Sequence, residues 1–95
     1  MTDIRVVKLS KRAQRNLEKV PRHVVINLMA WVTSVEDEGL MLTRRIPGYH
    51  DEPLKGARTG QRSVRLSRAY RAIYEIRADD SIEFVSVEEV NKHDY

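Results

Sequence analysis

The sequence predicts an α+β domain: two N-terminal helices packed on one face of a small, mainly antiparallel four-stranded sheet, in the order β-α-α-β-β-β. Three observations predict it. Apolar residues before position 40 recur with a helical period, and those after Arg62 alternate with a period of two. The 95 residues suffice for a single domain spanning 1–95. At 41% hydrophobic and 33% charged, the chain is lean in apolar content, yet not so lean as to be disordered. A chain this short buries only roughly 60–65% of the surface it exposes unfolded, so neither a large enclosed pocket nor a cofactor is expected. The absence of cysteine excludes disulfides, thiolate zinc sites and cysteine nucleophiles. Apolar runs are short and the first ten residues carry charges, so no membrane span or signal peptide is expected, and the expected location is the cytoplasm.

Taken in order, Ile4 to Leu9 reads as a short strand. Ser10 is a plausible N-cap for a helix from Lys11 to Val20, with Ala13, Leu17 and Val20 apolar. Pro21 ends that helix and suits the first turn of the next. There Val24, Leu28, Trp31, Val32 and Val35 form one stripe, which places Trp31 in the core. Gly39 supplies a stop. From Leu40 to about Gly60 the Pro47-Gly48, Pro53, Gly56 and Gly60 positions read as a loop of roughly twenty residues, a length that in a small domain points to function. Arg62 to Leu66 and Tyr70 to Arg77 read as a hairpin about Ser67-Arg68-Ala69. After a turn at Asp79-Asp80, Ile82 to Val90 is the last strand. The helices cover one sheet face, and the other is expected to stay open, with Arg65 and Arg71 converging on it.

Charge is distributed unevenly. Between Lys55 and Arg71 stand six basic residues (Lys55, Arg58, Arg62, Arg65, Arg68, Arg71) and no acidic one, whereas the rest of the chain holds 11 basic and 14 acidic residues. One segment therefore carries the whole basic excess. Solvated faces usually mix signs. An unmixed block, five-sixths arginine, has the electrostatic footprint of a phosphate-rich partner.

The motif Glu52-Pro53-Leu54-Lys55-Gly56-x-Arg58-x-Gly60-x-x-Ser63-Val64-Arg65, then Tyr70-Arg71-x-Ile73-Tyr74 and a terminal His93-Asp94-Tyr95, resembles the RelE/ParE toxin superfamily over nearly the whole chain. The Leu-Lys-Gly-x-Arg-x-Gly core is similar to HigB-type toxins, and the Glu-Pro-Leu-Lys opening and His/Tyr ending to YoeB-type toxins. The resemblance implies a RelE-like fold and the toxin of a type II toxin–antitoxin system. It implies a ribosome-dependent endoribonuclease that cuts translated mRNA without a metal, with the ribosomal decoding site, mRNA and a cognate antitoxin as partners and no membrane.

Metal-free cleavage of RNA requires a base for the 2′-hydroxyl, an acid for the leaving 5′-oxygen and cations for the phosphorane charge. By the resemblance, Glu52 takes the base position. His93 has a suitable intrinsic pKa for the acid. Arg65 and Arg71 brace the phosphate, and Tyr95 stacks on or hydrogen-bonds a nucleotide. Lys55, Arg58, Arg62, Asp94 and His50 are assigned to RNA binding. His50 is also a second acid/base candidate. Asp94 separates His93 from Tyr95, a departure from YoeB-type toxins; it either orients His93 or is itself the acid. Arg68, in the turn, reads as surface. Tyr49, Tyr70 and Tyr74 read as packing or stacking residues, and three scattered histidines make no metal site.

Plainer readings stand beside these. Glu52 next to Asp51 is also what a solvated loop carboxylate looks like, and His93 near the chain end is also an ordinary terminal residue. A ParE-like DNA gyrase inhibitor of the same fold and a non-catalytic RNA-binding module remain the alternatives. Interrupted translation separates the first reading from DNA-damage signalling, and intact RNA marks the last.

Overall fold

The computed structural model describes residues 3–92; the terminal His93, Asp94 and Tyr95 assignments lie outside them. Strand β1 (Val7–Leu9) leads into α1 (Lys11–Leu17), α2 (Arg22–Glu38) and α3 (Leu40–Arg44). Strands β2 (Glu52–Pro53), β3 (Arg62–Arg65), β4 (Tyr70–Asp79) and β5 (Ile82–Lys92) follow, with single 3-10 turns at Pro47–Tyr49 and Gly56–Arg58. Among the described residues the sheet has five strands in the order β1-β5-β4-β3-β2. β1 runs parallel to β5, and the other pairs are antiparallel. The α+β class and helix-backed sheet are as the sequence predicts.

Two expectations, the strand count and the loop after α2, need correction first. The sheet has five strands rather than four, because Glu52–Pro53 pairs with β3. The stretch 40–60 is not a plain loop. It opens with α3, which packs through fully buried Thr43, whose hydroxyl bonds Gly39 O at 2.9 Å and the Ser34 hydroxyl at 2.8 Å. Gly39, at φ 91°, both ends α2 and starts α3, and a Cβ there would collide with the Asp3 carboxylate. That carboxylate in turn accepts from Met41 N–H at 3.2 Å in the first turn of α3.

Boundaries follow local chemistry. Ser10 caps α1 as expected, accepting from Ala13 N–H at 3.0 Å, and its hydroxyl donates to Glu88 O at 2.9 Å, joining helix to sheet. α1 stops at Leu17 rather than Val20 because Glu18 and Lys19 turn back onto Arg15 O and Asn16 O in tighter bonds. The acidic C-terminus of α2 is offset by Arg5, whose guanidinium donates to Glu36 O and Asp37 O. The whole predicted stripe of α2 is buried against Val64, Ala72, Tyr74, Val85, Val87 and Val90. Trp31 and Tyr74, both fully buried, meet with ring centroids 5.2 Å apart.

The register sorts the functional candidates by face. In antiparallel pairs, opposed residues point to the same side. Val64 opposes Ala72 and Arg62 opposes Tyr74 on the helix-covered side. Glu52 opposes Ser63, Ser63 opposes Ile73, and Ile73 opposes Glu89 on the helix-free side. The next rung on that side is Arg65, Arg71 and Asn91. A bulge at Glu88 resets the register so that Glu89 and Asn91 share this face.

Candidate active site

At one end of the helix-free face lies an open cleft of about 220 Å³ lined by His50, Glu52, Ser63, Arg65, Ser67, Tyr70 and Arg71. Arg65 and Arg71 reach it as directly opposed residues on neighbouring strands. Like charges so placed repel, and neither takes part in an ion pair among the described residues. The Arg71 Nε is buried with no hydrogen-bond partner among the described residues, and so is the Oδ1 of Asn91 opposite it. A buried, unpaired guanidinium nitrogen beside a second arginine costs stability in the free protein. An anion seated between the two relieves both penalties.

Glu52 is brought to this cleft by the residues before it. The 3-10 turn at Pro47–Tyr49 ends at His50 in the left-handed region (φ 45°, ψ 48°), with His50 N–H closing on Pro47 O at 3.1 Å. The chain then enters β2 with alternating sides. Asp51 turns inward, its side chain fully buried. It accepts from Arg62 Nε and from the Tyr74 hydroxyl, each at 2.6 Å. Glu52 turns the other way, exposed, into the cleft. The Tyr74 hydroxyl also accepts from Arg44 Nε at 3.2 Å. Burial, reinforced by the hydrogen bond to Asp51, pushes the Tyr74 hydroxyl up to about 12. Tyr74 therefore stays a neutral donor across the working pH range.

The structure separates the other candidates. Arg62 is on the opposite side of β3 from Arg65 and is held by Asp51. Arg58 donates to both oxygens of Glu89, at 2.8 and 3.3 Å, and to Gln61 at 3.0 Å. Its hydrogen bond holds the Glu89 carboxyl below the usual carboxylate range. With Gln61 bonded to Glu75 at 2.9 Å, this segment crosses a helix-free face on which Ile73 is fully buried. That face is thus partly covered, not bare, and its uncovered end is the cleft. Lys55 is exposed ahead of the Gly56–Arg58 turn, and Arg68 is exposed in the β3–β4 turn, where the Ser67 hydroxyl accepts from Ala69 and Tyr70 N–H. Among the described residues no group of three His, Cys, Asp or Glu side chains is placed to hold a metal ion.

Sequence reasoning missed Ser63 and Ser67 as lining residues and Asp51 as the anchor of Glu52. Ser63 was signalled by its place two residues from Arg65 on the same strand face. Nothing in the sequence distinguishes the buried carboxylate of the Asp51-Glu52 pair from the exposed one.

No protein-family model matches the sequence, and no curated protein matches it. Solved structures do. YafQ from E. coli strain BL21(DE3) superposes with a TM-score of 0.72 at 15% identity, over 94% of this chain and 93% of that one. A YoeB/ParE toxin from Agrobacterium tumefaciens gives 0.67 at 17%, over 94% and 99%. A chain of the RelBE2 toxin–antitoxin complex from Mycobacterium tuberculosis gives 0.58 at 24%, over 95% and 99%. No helix among the described residues is long and apolar enough to cross a membrane. With nearly full coverage on both sides of each comparison, the chain has the fold of the RelE/ParE-like toxins.

Proposed function

We propose that this chain is the toxin of a type II toxin–antitoxin system and acts as an endoribonuclease on mRNA held in the ribosome. The observation that carries the reading is the cleft in which Arg65 and Arg71, directly opposed and without anionic partners among the described residues, face Glu52 across one open sheet end. Glu52 removes the proton of a ribose 2′-hydroxyl, and the 2′-oxygen bonds to the adjacent phosphorus. The two guanidiniums hold the non-bridging oxygens as charge builds on them. The P–O5′ bond breaks, leaving a 2′,3′-cyclic phosphate, and the 5′-oxygen takes a proton. His50, which lines the cleft, and His93 and Asp94 of the tail are the candidates for that acid. Tyr95 and Lys55 serve as contacts to nucleotide and phosphate.

The cleft is shallow and open, so it positions RNA poorly by itself, and the ribosome supplies orientation that the protein lacks. The antitoxin role rests on the fold shared with a chain of a toxin–antitoxin complex and on a basic block suited to an acidic segment. Primer extension on mRNA translated with the purified protein tests the proposal. Cuts that appear only with ribosomes support it. Equal cutting of free RNA overturns ribosome dependence, and uncut mRNA overturns the nuclease reading.

A further inference from the structure

Beside the cleft a second groove, of about 350 Å³, runs between α2 and the β3–β4 turn. Asn27 and Ala30 line it from the helix, and Ile46 and Tyr49 from the segment ahead of β2. Two residues, Arg65 and Ser67, line both the groove and the cleft. We infer that this groove receives a nucleobase next to the phosphate held by Arg65 and Arg71. The inference rests on the endoribonuclease reading and adds to it the place where substrate sequence is read.

Its chemistry matches a base and its position matches a neighbouring nucleotide. A base offers apolar faces and a hydrogen-bonding edge. The groove offers apolar walls and one fixed amide. Tyr49 is half-buried and packed on the core, so its ring is held in place, whereas Ile46 is 42% exposed and leaves apolar surface uncovered. Asn27 Nδ2 donates to Leu66 O at 2.7 Å, which orients the amide. Its Oδ1 takes part in no hydrogen bond among the described residues and is an acceptor for a ring or exocyclic N–H. Because Arg65 is common to both sites, an RNA chain anchored there carries an adjoining base to the groove without a gap.

The test is to map fragment ends from mRNA cleaved during translation, for wild type, Ala30→Leu and Ile46→Ala. Both substituted positions are exposed, so folding is preserved. Wild type is expected to favour some bases over others by about tenfold at one nucleotide flanking the cut. Ala30→Leu fills the groove and erases that preference, and Ile46→Ala enlarges it and shifts the preference. If Ala30→Leu cuts nothing, Ile46→Ala decides by the same readout. Unchanged preference in a variant that still cuts overturns the inference and leaves the nuclease reading standing. Absence of cutting by wild type overturns both. Loss of antitoxin binding with an unchanged cleavage profile assigns the groove to the antitoxin and also overturns the inference.

Discussion

The Tyr74 hydroxyl donates to Asp51 Oδ2 at 2.6 Å, and this bond ties the hydrophobic core to the candidate base. Tyr74 packs at a tilt of 44° against Trp31 of α2 on one side and holds Asp51, the residue preceding Glu52, on the other. Tyr74→Phe leaves Asp51 with Arg62 as its remaining side-chain partner among the described residues. It is expected to lower stability by about 1–3 kcal/mol and to slow cleavage by loosening Glu52. Folding holds the Tyr74 pKa above its ordinary 10.0, at about 12. The unfolded chain therefore loses this proton first as pH rises, and stability falls between those values, by about 2–3 kcal/mol in all. Urea denaturation of wild type and Tyr74→Phe from pH 9 to 11 checks this: the variant should show the smaller decline.

Arg65→Ala and Arg71→Ala are each expected to reduce single-turnover cleavage by roughly a hundred- to thousandfold, or about 3–4 kcal/mol of transition-state stabilisation. Strand pairing sets the two residues opposite one another, so both cations start beside the phosphate as charge develops. Arg68→Ala, in the exposed turn, should weaken ribosome binding slightly and only at low salt. Arg71→Ala also removes a buried Nε that has no hydrogen-bond partner among the described residues, so it should fold at least as stably as wild type. Equal cleavage defects at Arg68 and Arg65 would remove the distinction between the cleft and the rest of the basic block.

Glu89 sits under Arg58 and near Arg12, 2.8 and 3.5 Å from their guanidinium nitrogens. Because folding lowers its pKa, its ionised form stabilises the folded chain above the unfolded value. That contribution is lost as pH falls through the folded value. Glu89→Gln is expected to cost about 1–2 kcal/mol at neutral pH, and the gap from wild type should close in acid, as pH falls through the lowered Glu89 value. Denaturant midpoints at neutral and acid pH measure it. Lys55→Ala, outside this pairing, should leave both midpoints unchanged.

Removal of the α1 cap by Ser10→Ala is expected to lower stability by about 1 kcal/mol, and by more if loss of the Glu88 O contact loosens β5. Thermal melts of the two proteins read the effect directly.

The long-period and period-two patterns made the α2 stripe and the β3–β4 hairpin legible, because both elements are specified by residues close in sequence. Helix α3 was not legible. Five residues cannot support a helix on their own propensity, and this one forms because Thr43 docks on Ser34 and Gly39. Strand β2 was hidden for a related reason: two residues carry no periodicity, and Pro53 argues for an edge. The basic block correctly marked the region, but charge alone could not sort its members. Arg58 and Arg62 are paired with Glu89 and Asp51, carboxylates distant in sequence, whereas Arg65 and Arg71 oppose one another. That sorting is a property of sheet register, set by long-range pairing.

The central claim is that Glu52 is the base of an RNA-cutting site. It is tested most directly by single-turnover cleavage of mRNA on programmed ribosomes with wild type and Glu52→Gln, alongside co-sedimentation of each protein with the ribosome. Glu52→Gln preserves shape, removes the proton acceptor and removes a negative charge beside the RNA. Cleavage is expected to slow by roughly a hundredfold or more, with ribosome binding equal to wild type or tighter. Cleavage by Glu52→Gln at the wild-type rate would contradict the account and move the base role to His50, His93 or Asp94.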